Sequence, residues 1–202
     1  MRPSPVTDIG FVLSLSAFYL VSRVFPSLAI ACVVGIGVAV VAFGIIEIRR
    51  GVRSPRDAGL RIDTLRSSIL FSSLFLAPFL IAAVIFAVVR GVYRPDQFLM
   101  ALLVYPIWGL IQQTLFQGVF LESFRRLQLP YLGIVVTSLL FVAVHYPSKI
   151  LMGYTAIAGP LFSWIYHKRP NVLPLAFYHG VLGAFLYYVV RQKDVIGKIL
   201  EG

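Results

Sequence analysis

The chain has 202 residues, of which 59% are apolar and only 13% are charged, and its formal net charge is +10. The charged share is about half of that in ordinary soluble domains, and the mean hydropathy is +0.88; these values exclude such a domain and indicate a membrane protein, in which lipid solvates the apolar surface. The positive charge does not indicate a nucleic-acid partner, because the arginines cluster in short loops between apolar runs and no basic stripe carries interleaved aromatic residues.

Seven apolar segments follow one another along the chain, and a membrane-spanning helix needs about 20 largely apolar residues. The segments are residues 9–25, 27–48, 67–89, 97–127, 130–146, 148–167 and 171–190. The apolar character of the first continues to Ile48, so we expect an uncleaved first helix rather than a removed secretory signal. Alternation of period two is absent, which argues against a β-barrel. The sequence therefore predicts an all-α fold, a polytopic membrane helix bundle of about seven transmembrane helices, as a single membrane domain over residues 1–202.

The loop between the second and third segments carries a concentration of positive charge. Its arginines are Arg49, Arg50, Arg53, Arg56, Arg61 and Arg66. Loops rich in Lys and Arg stay on the cytoplasmic side of the membrane, so we expect this loop and the amino terminus to lie inside. The odd number of spans then places the carboxyl terminus outside, a side that depends on the helix count. The tail 192–202 is predicted to form a short amphipathic helix on the membrane surface.

A few polar side chains fall at membrane depth, where they are costly and are therefore candidates for function. They are Gln112, Gln113, Gln117, His145 and His179. Three separate helices supply them, which is how a helix bundle builds an internal site, so we expect them to converge. Taken singly, each is also consistent with an interhelical hydrogen bond that contributes about 1 kcal/mol or less.

Spacing on these helices adds three expectations. Gln113 and Gln117 are four residues apart and share one face of an α-helix. Phe141 precedes His145 by four residues, so its ring can pack beneath the imidazole. Gly183 follows His179 by the same spacing and is expected to let another helix come close.

Three short motifs occur in order on these segments. They read Gln112-Gln113-Thr-Leu-Phe-Gln117-Gly118, Phe141-Val-Ala-Val-His145 and His179-Gly-Val-Leu-Gly183. The arrangement resembles the CPBP family of intramembrane proteases, which includes the CAAX prenyl protease 2 type; there the motifs read Glu-Glu-x-x-x-Arg-Gly, Phe-x-x-x-His and His-x-x-x-Asn. The resemblance covers about residues 97–190. It implies an intramembrane endopeptidase of the bacterial cytoplasmic membrane that acts on a membrane-associated protein or peptide, with the histidines and glutamines at the catalytic positions.

The departures from the family motif remove its charged groups. Glutamine occupies both glutamate positions, Gln112 and Gln113, and also the arginine position, Gln117. The family is thought to activate a water molecule with a glutamate, helped by the histidines. An amide cannot accept a proton at any useful pH, and loss of a positioned base costs about 10²- to 10⁴-fold in rate.

Glu122 is the carboxylate nearest to this motif in the sequence. Nine α-helical steps from Gln113 place it on the opposite helix face, about 13 Å along the axis. We expect it to pair with Arg125 or Arg126 and not to replace the missing base.

A histidine could itself serve as the base, because its pKa suits neutral pH. His145 and His179 could also hold a metal with waters completing the shell, but two neutral ligands without a carboxylate make a poor catalytic zinc site. We therefore expect no metal and no other cofactor.

Three functions are compatible with these observations. The first is a CPBP-type endopeptidase. The second is a non-catalytic descendant that binds a membrane peptide or a lipidated tail as a scaffold or regulator. The third, a small transporter, is weaker, because paired broken helices and a charged path are absent from the sequence. The expected partners are the lipid bilayer and a membrane-associated protein or peptide, and the oligomeric state stays open.

Overall fold

The computed structural model describes residues 4–23, 25, 27, 29–91 and 95–186. Within these residues the chain is helical and contains no strand. Its helices are α1 (Pro5–Ser22), α2 (Ala29–Arg49), α3 (Leu65–Val89), α4 (Pro95–Gln113), α5 (Glu122–Arg126), α6 (Pro130–Ala143), α7 (Lys149–Lys168) and α8 (Val172–Phe185). A π-helical segment, Thr114–Leu121, joins α4 directly to α5.

The described helices confirm the predicted all-α membrane bundle. Because α4, the π-helical segment and α5 follow one another without a break, the described helices form seven continuous helical segments. Each corresponds to one of the seven predicted segments. Among the described residues, three stretches are long and apolar enough to cross a membrane, Pro5–Ser22, Ala31–Arg49 and Leu65–Val89, and α6 and α8 are shorter apolar helices. Residues 187–190 of the seventh predicted segment and the predicted amphipathic tail lie outside the described residues.

Glycines bring α4 and α8 into close contact. A Cβ atom added at Gly109 would lie 2.5 Å from the carbonyl oxygen of Ala176, and one at Gly180 would lie 2.5 Å from the backbone nitrogen of Pro106. Only residues without a side chain permit this approach of two backbones, a common way to pack helices in membranes. The predicted role of Gly183 is wrong in this respect, since a Cβ atom there would make only an ordinary contact, 3.8 Å from the Tyr105 ring.

One end of the bundle is built around a buried carboxylate. Asp8, near the start of α1, accepts hydrogen bonds from Arg53 Nη2 at 2.6 Å and from Arg126 Nη2 at 3.0 Å. Ser123 Oγ lies 3.2 Å from the same carboxylate oxygen. Burial of Arg53 and Asp8, which are 6% and 1% exposed, is tolerable because each compensates the charge of the other. The arginine-rich loop is thereby fixed to α1 and α5.

The same loop also contacts the start of α8. Val172 N donates to the carbonyl oxygen of Gly59 at 2.9 Å, and Asn171 Nδ2 donates to that of Arg61 at 2.6 Å. On the solvent side, hydrogen bonds from Arg61 and then Arg56 lower the pKa of the Asp63 carboxyl to about 2. The loop, the start of α1, α5 and the start of α8 therefore lie at one end of the molecule, which we call the charged end.

Candidate active site

Gln113 and His179 form the polar contact between α4 and α8. The Gln113 Nε2 atom lies 2.9 Å from His179 Nδ1, and the Gln113 side chain is completely buried. The close packing at Gly109, four residues before Gln113, and at Gly180, next to His179, holds the two helices at this distance. With the amide donating to Nδ1, the proton of the neutral imidazole is on Nε2. An amide thus occupies the position at which the family motif has a carboxylate.

His145 lies in the turn after α6 and is oriented by the end of that helix. Its Nδ1 donates to the carbonyl oxygen of Phe141 at 2.6 Å, so Nε2 is the acceptor of the neutral ring. The Phe141 ring packs edge-on against His145, with centroids 5.0 Å apart, which confirms the contact predicted from their spacing. The same ring packs against His179 at 5.3 Å. The Phe162 ring stacks on the His179 imidazole, with centroids 5.9 Å apart. Aromatic rings therefore fix both imidazoles.

The two histidines line one cavity of about 90 Å³. Gln112 also lines it, as do Arg23 and Thr155, and the remaining walls are aromatic or apolar. This volume accommodates a few water molecules or one side chain. The cavity lies where α1, α6 and α8 end and α7 begins, so it is at the opposite end of the bundle from the charged end.

Gln113 and Gln117 are not among the residues that line this cavity. Gln113 lies behind His179, whereas Gln117 Nε2 donates to Ser163 Oγ on α7 at 3.2 Å. Gln117 lies one helical turn nearer the charged end than Gln113, so the two side chains meet different helices. The two glutamines therefore have different partners: one contacts α8 and the other contacts α7.

Glu122 does not reach the histidines. Arg125 Nη1 donates to Glu122 Oε2 at 2.7 Å, the ion pair expected from the sequence. The Tyr166 hydroxyl on α7 lies 3.5 Å from the same oxygen, so Glu122 faces the helix that Gln117 also contacts. The expectation of a face opposite the motif overlooked the π-helical turn. Across the described residues, no aspartate or glutamate lines the cavity.

The donor set does not fit a catalytic metal. Within the described part of the chain, no group of three or more His, Cys, Asp or Glu side chains is placed to hold a metal ion. A catalytic zinc needs three protein ligands. Two imidazole nitrogens without a carboxylate do not supply them.

Sequence reasoning missed two residues of this region. Ser163 on α7, which is wholly buried, accepts the hydrogen bond from Gln117, and Arg23 contributes to the cavity lining. The sequence offers no signal for Ser163, since an isolated serine is common in apolar helices. Arg23 follows the first apolar segment, where an arginine reads as a loop charge.

The region that holds this site matches the sequence of a known family. The sequence model of the family described as "Type II CAAX prenyl endopeptidase Rce1-like" matches residues 94–185. This segment is similar to the Rce1-like family. The match confirms the resemblance seen in the motifs, and it covers α4 through α8 with the Gln113–His179 and Phe141–His145 contacts. No curated protein and no solved structure matches the chain. The matched segment is therefore similar to CAAX-protease-type membrane endopeptidases.

Proposed function

We propose that this Rce1-like protein binds a membrane-associated protein or peptide at the cavity of His145 and His179 and cleaves it slowly or not at all. The observation that carries this proposal is the contact between the Gln113 amide and His179 Nδ1. It retains the shape of a site in which a carboxylate would accept a proton, but the amide cannot do so. Compared with the family motif, the described site has both imidazoles but no carboxylate to act as acid or base.

Slow cleavage would depend on the histidines. The Nε2 atom of His145 is free to accept a proton from a water molecule in the cavity, because Nδ1 is occupied by the Phe141 carbonyl. The Nε2–H group of His179 can donate to a developing oxyanion. Neither ring has a carboxylate behind it to stabilise the imidazolium, so we expect a rate about 10²- to 10⁴-fold below that of a glutamate-based site.

The second candidate function is that of a non-catalytic scaffold or regulator that binds a membrane peptide or a lipidated tail. The absence of any aspartate or glutamate from the described lining of the cavity favours it. For both candidates we propose the bacterial cytoplasmic membrane, with the amino terminus and the charged end inside. The cavity then belongs to the outer half of the membrane.

The experiment measures binding and cleavage in parallel. Purified full-length protein in lipid nanodiscs is titrated with a fluorescent S-farnesylated CAAX peptide, and the peptide is then analysed for cleavage by mass spectrometry. We expect saturable binding with cleavage near background. His145→Ala and His179→Ala should weaken binding, whereas His167→Ala, at the far end of α7 and outside the cavity, should not.

Two results would contradict the proposal. Absence of saturable binding would remove the proposed function in both of its forms. Rapid cleavage by the natural protein that His145→Ala or His179→Ala abolishes would show that imidazoles alone carry efficient hydrolysis, and the proposed loss of activity would then be wrong.

A further inference from the structure

Arg23 brings a permanent positive charge to the cavity. It is the C-cap residue of α1, and its backbone N–H bonds to the carbonyl oxygens of Leu20 and Val21. Its guanidinium lies over the Tyr19 ring, 5.6 Å from the centroid, and both residues line the cavity with His145 and His179. Of the described lining residues, Arg23 is the one with a permanent charge.

The guanidinium has no counter-ion in the described part of the chain. Its planar fork offers five N–H donors, yet no carboxylate among the described residues lies within 4.0 Å of it. The other arginines near the bundle differ: Arg53 and Arg126 share Asp8, and Arg125 pairs with Glu122. A partly buried arginine that lines a cavity without an internal acid is a site for an anion from outside.

We infer that Arg23 binds the carboxyl-terminal carboxylate of the peptide that occupies the histidine cavity, and so selects ligands that end close to the bound segment. This inference rests on the proposed function. A carboxylate is planar and matches the guanidinium fork with two parallel hydrogen bonds. The chain's first helix would thereby supply specificity, while residues 94–185 supply the Rce1-like site.

A lipid phosphate is the alternative anion, because arginines at helix ends commonly reach lipid headgroups. The position of Arg23 favours the peptide. Its side chain is only partly exposed and shares a cavity of about 90 Å³ with both imidazoles. A peptide bound at the imidazoles would end beside the guanidinium, in the same cavity.

The test compares two forms of one probe. Full-length protein in nanodiscs of phosphatidylcholine is titrated with an S-farnesylated CAAX peptide that carries either a free carboxylate or a terminal amide. We expect the natural protein to prefer the acid about tenfold, the effect of one charge-assisted hydrogen-bonded pair. Arg23→Gln should abolish this preference and Arg23→Lys should keep part of it. Arg90→Gln is the matched control, since Arg90 also caps a spanning helix at that end but does not line the cavity.

The outcomes separate the inference from the proposed function. Equal affinity for acid and amide, or a preference that persists in Arg23→Gln, overturns the inference alone. The natural protein could also prefer the acid in phosphatidylcholine nanodiscs and lose this preference when phosphatidylglycerol is added. That result assigns Arg23 to lipid phosphate and overturns the inference. Absence of binding by both forms overturns the proposed function and the inference together. The acid–amide comparison on the natural protein needs no substitution. It therefore tests the preference for a terminal carboxylate even if Arg23→Gln fails to fold.

Discussion

The Gln113–His179 contact sets the chemistry of the site at the scale of single residues. Glutamine and glutamate have nearly the same shape, so a carboxylate at residue 113 would lie within hydrogen-bond distance of His179 Nδ1, where the amide nitrogen now lies at 2.9 Å. The imidazole would then donate to the carboxylate and become a stronger base. One substitution is therefore sufficient to restore an acid–base pair.

Gln113→Glu should raise peptide cleavage above the level of the natural protein. Gln113→Glu with Gln117→Arg should raise it further, because the two charges compensate each other within a buried region where Gln117 is only 1% exposed. Gln117→Arg alone should lower the free energy of unfolding by about 3 kcal/mol, since it leaves a buried charge unpaired. Cleavage of the farnesylated peptide and thermal unfolding in detergent measure these effects.

The matched control is Gln128→Glu, which adds a carboxylate at an exposed turn after α5. It should change neither quantity. If Gln113→Glu folds as well as the natural protein and cleavage stays at background, the cavity has lost more than its base, and only the binding function remains.

At the scale of the elements, the π-helical segment carries the motif side chains that contact α7. It places Gln117 against Ser163 and Glu122 beside Tyr166, both on α7. Gly118 lies at its centre against the carbonyl oxygen of Ala58, which a Cβ atom would overlap. The arginine-rich loop is thus in backbone contact with the helix that carries the motif.

Gly118→Ala should destabilise the protein by about 1–3 kcal/mol, because the backbone of Ala58 cannot move aside as a flexible side chain would. Gly153→Ala on α7 is the control, since a Cβ atom there meets nothing within 4 Å. It should be neutral or stabilise by up to about 1 kcal/mol, as alanine favours a helix over glycine. Thermal unfolding of the detergent-solubilised variants compares them, and equal melting temperatures would contradict the tight contact at Gly118.

The elements also show how far the sequence could predict this molecule. Apolar runs locate the helices because each run must match the membrane, and the motif spacing predicts that Phe141 packs on His145. Helix periodicity cannot reveal the π-helical turn, within which Gly118 packs against a loop about 60 residues earlier in the chain. The same holds for Asp8 and Arg53, whose pairing requires the tertiary fold.

At the scale of the whole molecule, the charged end and the histidine cavity lie at opposite ends of the bundle. The charged end holds Asp8 with Arg53 and Arg126, and the cavity with His145 and Arg23 is at the other end. In the orientation proposed above, the arginine-rich end faces the cytoplasm. A ligand would then approach the histidines from the outer side or from within the bilayer.

Cysteine accessibility tests this orientation. Cys32 is the single cysteine and is buried, so Cys32→Ala provides a background without reactive thiols. Ile62→Cys probes the arginine-rich loop and Tyr146→Cys probes the opposite end, at positions that are 82% and 57% exposed. In intact bacterial cells a membrane-impermeant maleimide should label Tyr146→Cys at once, and Ile62→Cys only after the cytoplasmic membrane is permeabilised. Labelling of Ile62→Cys in intact cells, with Tyr146→Cys protected, would reverse the topology and place the histidine cavity on the cytoplasmic side.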